Sequence, residues 1–284
     1  MFKKIFFAAA LLLASELGAK PVVIASIAPV EYLAKAVGGD KIEVQSLAKG
    51  DVHSYEPKPN DMKAVAKARI FIAAGLEFEE AWIPRFKASA KNLVVVKSDA
   101  KIAKLKEERG EQAEHDEKHE AHADPHVWLN PMLAITMARN ISDALIDMDK
   151  ANKDFYLENF QKLMNDLLAF DESAKNELAG LKNRKFVVYH PAWGYFAEHY
   201  DLEQISIERN GKEPKIDEMA STLKMIKDEN IKVIFADPNR SQKSAQILAS
   251  QTGAKVELLD PLGYNLLENL KIAVGAIKDA NSPK

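Results

Sequence analysis

Three widely separated histidines of this 284-residue chain have similar surroundings in the sequence. His53 lies beyond the apolar and β-branched segment 42–47, His126 beyond the segment 93–97, and His190 directly after the segment 186–189. One carboxylate, that of Asp260, follows a segment of the same kind. Three imidazoles and a carboxylate are a suitable tetrahedral ligand set for Zn²⁺, which accepts both nitrogen and oxygen donors. These four residues therefore form a candidate metal site.

Each of the four residues also has a purely structural explanation, which the sequence leaves open. His53 in DVHSYEPKP can be an ordinary loop residue, and His126 in DPHVWLNP can complete a turn. Asp260 in LLDPLG can cap a following helix. His190 in VVYHPAW favours a site more strongly, because a polar ring that ends an apolar strand is costly to bury without a partner.

A second group of histidines, His115, His119 and His122, lies in the segment 101–125, which is rich in charged residues and poor in large aliphatic ones. Such a composition cannot form a core, so it predicts an exposed loop. This loop is interpreted as a secondary, weaker zinc site or as a collector that passes metal to the main site. The alternative is a solvated charged loop without a defined role. His199 is expected at the surface or beside the main site, not as a ligand.

Strand-like runs alternate with helical patterns, which predicts an α/β fold of βα units on mainly parallel sheets. The predicted strands, four in each half of the chain, are Val22–Ser26, Ile42–Leu47, Arg69–Ala73, Leu93–Lys97, Phe186–Tyr189, Gln204–Ile207, Val233–Ala236 and Lys255–Leu259. The predicted helices between them are Val30–Val37, Pro59–Lys67, Glu79–Ala90, Ala192–Tyr200, Ile216–Glu229 and Gln242–Thr252. In open α/β sheets, ligands bind beyond the carboxyl ends of strands. Two facing sheets would therefore bring the four candidate ligands together in one crevice.

The segment 131–182 between the two halves has helical periodicity and no strand pattern. It predicts one helix over 131–149, a break near Lys150–Lys153 and a long helix to about Leu181. The long helix would be a stiff connection between two lobes, or alternatively a core helix of one large domain. The predicted organisation is an N-terminal lobe over 20–130, linking helices over 131–182 and a C-terminal lobe over 183–284.

The first 19 residues have the pattern of a cleavable secretory signal, because Lys3 and Lys4 precede an apolar run and small residues follow it at Gly18 and Ala19. The apolar run is shorter than the roughly 20 residues of a membrane-spanning helix. The net charge of −3 argues against a general affinity for nucleic acid or anionic lipid. The chain contains no cysteine, so it forms no disulfide and offers no thiol for lipidation. We expect a monomer free in the periplasm, with secretion into the medium as the alternative.

Four motifs together resemble the zinc-binding solute-binding proteins of bacterial ABC importers. They are GDVHSYEPKPNDMKAVAKARIFIAAGLEFEEAW, the His- and Asp-rich insert followed by DPHVWLNP, VVYHPAWGYFAEHY, and LLDPLG. The resemblance covers nearly the whole chain after the signal, in family order. It implies two four-stranded α/β lobes joined by a long helix, with a metal site in the crevice between them. It also implies His53, His126 and His190 as metal ligands, with Asp260 or water as the fourth.

The resemblance implies capture of Zn²⁺ as transported cargo and its delivery to the membrane permease of an ABC importer. Relatives that import manganese carry Glu at the third ligand position, where this chain has His190. A third imidazole favours Zn²⁺, since Mn²⁺ prefers oxygen ligands. The alternatives are a Mn²⁺ or Fe²⁺ binding protein of the same fold, and a secreted zinc hydrolase. The hydrolase is disfavoured because the chain lacks an HExxH motif and a recognisable general base.

Overall fold

The computed structural model describes residues 19–106, 123–208 and 216–281, and within them the chain forms two four-stranded sheets. The first sheet has the order β2-β1-β3-β4 and the second the equivalent order β6-β5-β7-β8. The strands are β1 (Val22–Ala25), β2 (Glu43–Ser46), β3 (Ile70–Ala73), β4 (Val94–Lys97), β5 (Lys185–Val188), β6 (Glu203–Ser206), β7 (Val233–Ala236) and β8 (Lys255–Leu258). All neighbouring strands are parallel, so the carboxyl ends within each sheet meet at one edge.

Helices follow the strands as the crossovers of a parallel sheet require. They are α1 (Ala28–Gly38), α2 (Pro59–Val65), α3 (Glu77–Ser89), α4 (Pro131–Met148), α5 (Lys153–Leu178), α6 (Gly194–His199), α7 (Ile216–Asp228), α8 (Lys243–Thr252) and α9 (Leu266–Asn281). The central strands β3, IFIA, and β7, VIFA, are buried along their whole length. Continuous apolar strands of this kind are typical of sheets that are covered on both faces.

The 26-residue helix α5 connects the two halves and also belongs to their core. Its buried residues include Tyr156, Leu167 and Leu178, and it packs on α1, α4 and α9. One continuous cluster of buried side chains includes residues of both sheets and of these helices. The two interpretations of α5 that the sequence left open, connection and core helix, therefore both describe it.

The predicted α/β fold with two four-stranded lobes and a long helix is confirmed, and each strand lies within one residue of its predicted limits. The predicted break near Lys150–Lys153 is a single 3₁₀ turn, Lys150–Asn152. The last predicted element ends at Leu259, so the prediction omits helix α9. The buried residues of this helix nevertheless have helical spacing in the sequence. Residues 1–18 of the predicted signal lie outside the described residues. No helix in the described part of the chain combines the length and apolarity needed to cross a membrane.

Candidate metal site

The three predicted histidines lie on three loops that leave the carboxyl ends of strands. His53 lies between β2 and α2, and His190 follows β5. His126 begins a 3₁₀ turn, Val127–Leu129, directly before α4. Asn130 fixes this turn to α4, because its side-chain oxygen accepts hydrogen bonds from the amides of Met132 and Leu133. The two sheets thus deliver imidazoles to one crevice, as predicted from their positions in the sequence.

The Nε2 atoms of the three imidazoles converge. His53 Nε2 lies 3.4 Å from His126 Nε2 and 3.2 Å from His190 Nε2. Nitrogens that share a tetrahedral Zn²⁺ at about 2.0–2.1 Å lie about 3.3 Å apart. Among the described residues, these three histidines form the group of at least three side chains whose potential ligand atoms all lie within 4.8 Å of one another. The spacing of the nitrogens suits one small divalent ion.

Two of the imidazoles are buried and are oriented by carboxylates on their far side. His126 Nδ1 lies 2.8 Å from Asp124 Oδ1, which also accepts a hydrogen bond from the His126 amide at 2.9 Å. His190 Nδ1 lies 2.7 Å from Glu208 Oε2. A carboxylate at Nδ1 keeps the proton on that nitrogen, so the lone pair of Nε2 faces the crevice. His53 is only partly buried, so it is the most solvent-exposed of the three imidazoles.

A partly buried cation, the guanidinium of Arg240, lies beside this cluster. Arg240, in the loop between β7 and α8, donates hydrogen bonds from Nη1 to Glu208 Oε1 at 2.8 Å and Oε2 at 2.6 Å. Its Nη2 donates to Asp51 Oδ1 at 3.1 Å. Asp51 belongs to the first half of the chain and Glu208 to the second, so Arg240 connects the two sides of the crevice.

The surroundings of the imidazoles keep two of them neutral near pH 7. Burial, together with the neighbouring His126 and His190, lowers the pKa of His53 from 6.5 to about 3. Burial, His126 and Arg240 lower the pKa of His190 well below 6.5. Neutral imidazole is the form that binds a metal, so the site does not have to lose these two protons before binding.

Asp260, the predicted carboxylate ligand, follows β8 at the same edge of the second sheet. Its Oδ1 accepts hydrogen bonds from Asn239 Nδ2 at 2.8 Å and from the Leu262 amide at 2.9 Å. It does not cap α9, because Asn265 accepts the hydrogen bond from the Glu268 amide at the start of that helix. Asp260 is not among the clustered ligand atoms, and its coordination of the metal stays a prediction.

The remaining histidines fall into two groups. His115, His119 and His122 lie outside the described residues. The ends of their segment are anchored, because Lys106 and Ala123 pair in an antiparallel bridge and Asp124 is buried. His199 binds Asp171 of α5, with 2.6 Å between its Nε2 and the Asp171 Oδ1. It therefore supports the attachment of α6 to the long helix, which is a role that the sequence does not indicate.

The sequence prediction does not include the charged residues that orient the ligands. Asp124 belongs there only to the possible turn DPHVWLNP and is given no role of its own, and Glu208, Arg240 and Asp51 are not identified. Glu208 and Arg240 each follow a strand, at the same edge as the ligands. That position is the one signal in the sequence that could have indicated them.

The chain is similar over most of its length to proteins of known families. Residues 23–280 match the profile of a family described as ZnuA, zinc-uptake complex component A, periplasmic. The high-affinity zinc uptake system protein ZnuA of Bacillus subtilis (strain 168) is 30% identical over 93% of this chain and 88% of its own length. A crystal structure of ZnuA has a TM-score of 0.86 and 36% identity, and covers 93% of this chain and 100% of that one. A zinc-bound ZnuA deletion mutant has a TM-score of 0.86 and 34% identity, over 93% of this chain and 99% of that one.

Proposed function

Since the chain belongs to the ZnuA family of metal-uptake solute-binding proteins, we propose that its cargo is Zn²⁺, captured in the periplasm for an ABC importer of the inner membrane. The chain is a binding protein and not an enzyme, which removes the hydrolase alternative. The family is periplasmic or extracellular. The observation that carries the zinc proposal is the convergence of three Nε2 atoms at 3.2 and 3.4 Å.

The chemistry of the ligands supports zinc over manganese. Three neutral nitrogens suit Zn²⁺, whereas Mn²⁺ prefers carboxylate, carbonyl and water oxygens. The relatives support the same choice, because the B. subtilis protein is named for zinc uptake and one similar structure has zinc bound. We propose His53, His126 and His190 as three ligands, with Asp260 or water as the fourth. The residues 115–122 remain a proposed secondary zinc site.

Capture and delivery then need only ligand exchange. Zn²⁺ enters past the partly exposed His53 and loses water as the buried His126 and His190 bind it. The carboxylates of Asp124 and Glu208 hold these two rings in position before the ion arrives. Release follows when the loaded protein docks on the membrane permease, a partner that the family implies. The signal predicted in residues 1–19 accounts for export.

The test of this proposal is a competition titration of metal-free protein with Zn²⁺ and Mn²⁺. We expect one tightly bound Zn²⁺ per chain, and Mn²⁺ that does not displace it at equal concentration. Metal analysis of the purified protein by mass spectrometry measures the same preference independently. Tighter binding of Mn²⁺ or Fe²⁺ than of Zn²⁺ would assign the protein to one of the alternative cargoes.

The depressed imidazole pKa values predict a shallow dependence of zinc affinity on pH. Because the pKa of His53 is about 3 and that of His190 is well below 6.5, these two rings are neutral from pH 7.5 to 5.5. No more than one imidazole proton is then displaced per zinc, so affinity falls by about tenfold or less between pH 6.5 and 5.5. A site of three imidazoles with unshifted pKa values would lose zinc affinity by up to about a thousandfold over the same pH unit.

Titrations at pH 7.5, 6.5 and 5.5 measure this slope. The sign follows from the direction of the shifts: lowered pKa values move proton competition to lower pH, so the loss of affinity steepens only toward pH 3. A loss of more than about tenfold between pH 6.5 and 5.5 would show that at least two rings take up protons in that range.

A further inference from the structure

Arg240 is a largely inaccessible cation that is not itself a zinc ligand. Its side chain is 12% exposed, and burying a guanidinium without partners is strongly unfavourable. It donates hydrogen bonds to two carboxylates, those of Glu208 and Asp51, and its Nη1 also lies 3.1 Å from His190 Nδ1. The planar guanidinium can bind two carboxylates at once because its five N–H groups point in fixed directions.

Both of these carboxylates lie beside proposed metal ligands but bind other groups. Glu208 Oε2 lies 2.7 Å from His190 Nδ1, so one imidazole ring separates it from the nitrogen that faces the ion. Asp51 Oδ1 accepts a hydrogen bond from the His53 amide at 3.1 Å, and its Oδ2 accepts one from Ser54 at 3.0 Å. Two potential oxygen ligands are thus close to the cluster of imidazoles, and Arg240 binds both of them.

We propose that Arg240 determines the metal preference of the site, by holding the carboxylates of Glu208 and Asp51 away from the bound ion. With both carboxylates held, the ion meets three imidazole nitrogens, a set that suits Zn²⁺. Without Arg240, two carboxylates remain in the crevice without their countercharge. A divalent ion is then the cation available to them, and coordination by one or both creates the oxygen-rich, higher-coordinate site that Mn²⁺ prefers.

This inference rests on the proposed zinc function and is tested by a ratio of affinities. The dissociation constants for Zn²⁺ and Mn²⁺ are measured separately for the parent protein and for Arg240→Met. We expect the ratio of the Mn²⁺ constant to the Zn²⁺ constant to fall by about tenfold or more, a change of the size known for residues that contact metal ligands. Arg139→Met is the matched control, because Arg139 is an exposed arginine that lies over the Phe160 ring. Its ratio should equal that of the parent.

Two further variants separate this specific role from a general loss of structure. Adding Asp51→Asn to Arg240→Met removes one released carboxylate and leaves the contact between Glu208 and His190 in place, so it should return the ratio part of the way to the parent value. Arg240→Lys keeps the charge but not the planar fork, so it should shift the ratio in the same direction by a smaller amount. If Arg240→Met does not fold, the affinity ratio of Arg240→Lys tests the role of Arg240 instead. Co²⁺ absorption reports the geometry, since bands of four-coordinate Co²⁺ weaken when oxygens join the coordination sphere.

The outcomes distinguish this inference from the proposed function. A parent protein that does not prefer Zn²⁺ to Mn²⁺ contradicts the proposed function. A parent protein that prefers Zn²⁺, with an unchanged ratio in the Arg240 variants, overturns the role of Arg240 alone. Equal weakening of both metals in Arg240→Met, with an unchanged Co²⁺ spectrum, also overturns it, because it shows a structural effect only.

Discussion

Replacing His190 by alanine is expected to weaken zinc binding by about a hundredfold or more. Zinc sites with four protein ligands contribute about 10–16 kcal/mol, so one ligand accounts for about 3 kcal/mol, or about two orders of magnitude. The buried position of His190 strengthens this expectation, because no other imidazole in the described part of the chain lies close enough to replace it. The measurement is a competition titration with a chromophoric chelator.

The matched control for His190→Ala is His199→Ala. His199 lies on the next helix in the same lobe and binds Asp171, away from the cluster. Its removal should leave the zinc affinity unchanged, while circular dichroism confirms that both variants fold. Zinc binding by His190→Ala at parental affinity would show that the site is wrongly assigned.

The second large effect is expected from Asp124→Asn, a change that leaves the shape of the side chain nearly intact. The asparagine oxygen can still accept the hydrogen bond from the His126 amide, so the turn before α4 is preserved. The negative charge at His126 Nδ1 is lost, however, and with it much of the force that orients the ring and makes Nε2 a better donor. We expect zinc affinity to fall by about tenfold or more.

Zinc titration of Asp124→Asn is compared with that of Asp143→Asn, an exposed aspartate on α4. The control should match the parent in both affinity and thermal unfolding. An Asp124→Asn protein with parental affinity would mean that burial between the lobes, and not the carboxylate, fixes the His126 ring.

The cluster of three histidines could be predicted from the sequence because two independent signals coincide at each of them. Each histidine is of a type that binds metals, and each follows a strand whose apolar pattern marks its carboxyl end. Glu208 and Arg240 carry only the second signal, in a chain in which 29% of residues are charged. Their function depends on a contact between side chains from different loops, and no local pattern records such a contact.

Helix α9 is absent from the prediction for a different reason. Its buried residues Leu266, Leu270, Ala273 and Ile277 repeat at helical spacing, so the information is present in the sequence. The hydrogen bonds around Asp260, in contrast, could not be predicted from the sequence. Asn239 and Asn269 both hydrogen-bond to Asp260, one to its side chain and one to its backbone oxygen, and both contacts exist only after the chain has folded.

The bridge between Lys106 and Ala123 has a consequence for how this lobe can vary. Lys106 and Ala123 are neighbours in space, and the Tyr195 hydroxyl accepts a hydrogen bond from the Leu105 amide and donates one to the Asp124 carbonyl. These contacts hold the chain in place on both sides of residues 107–122 and do not involve those residues. We therefore expect that segments of different length and composition can be exchanged between Lys106 and Ala123 without displacing His126. Grafting of a reporter peptide at this point would place it beside the metal crevice on a fixed base.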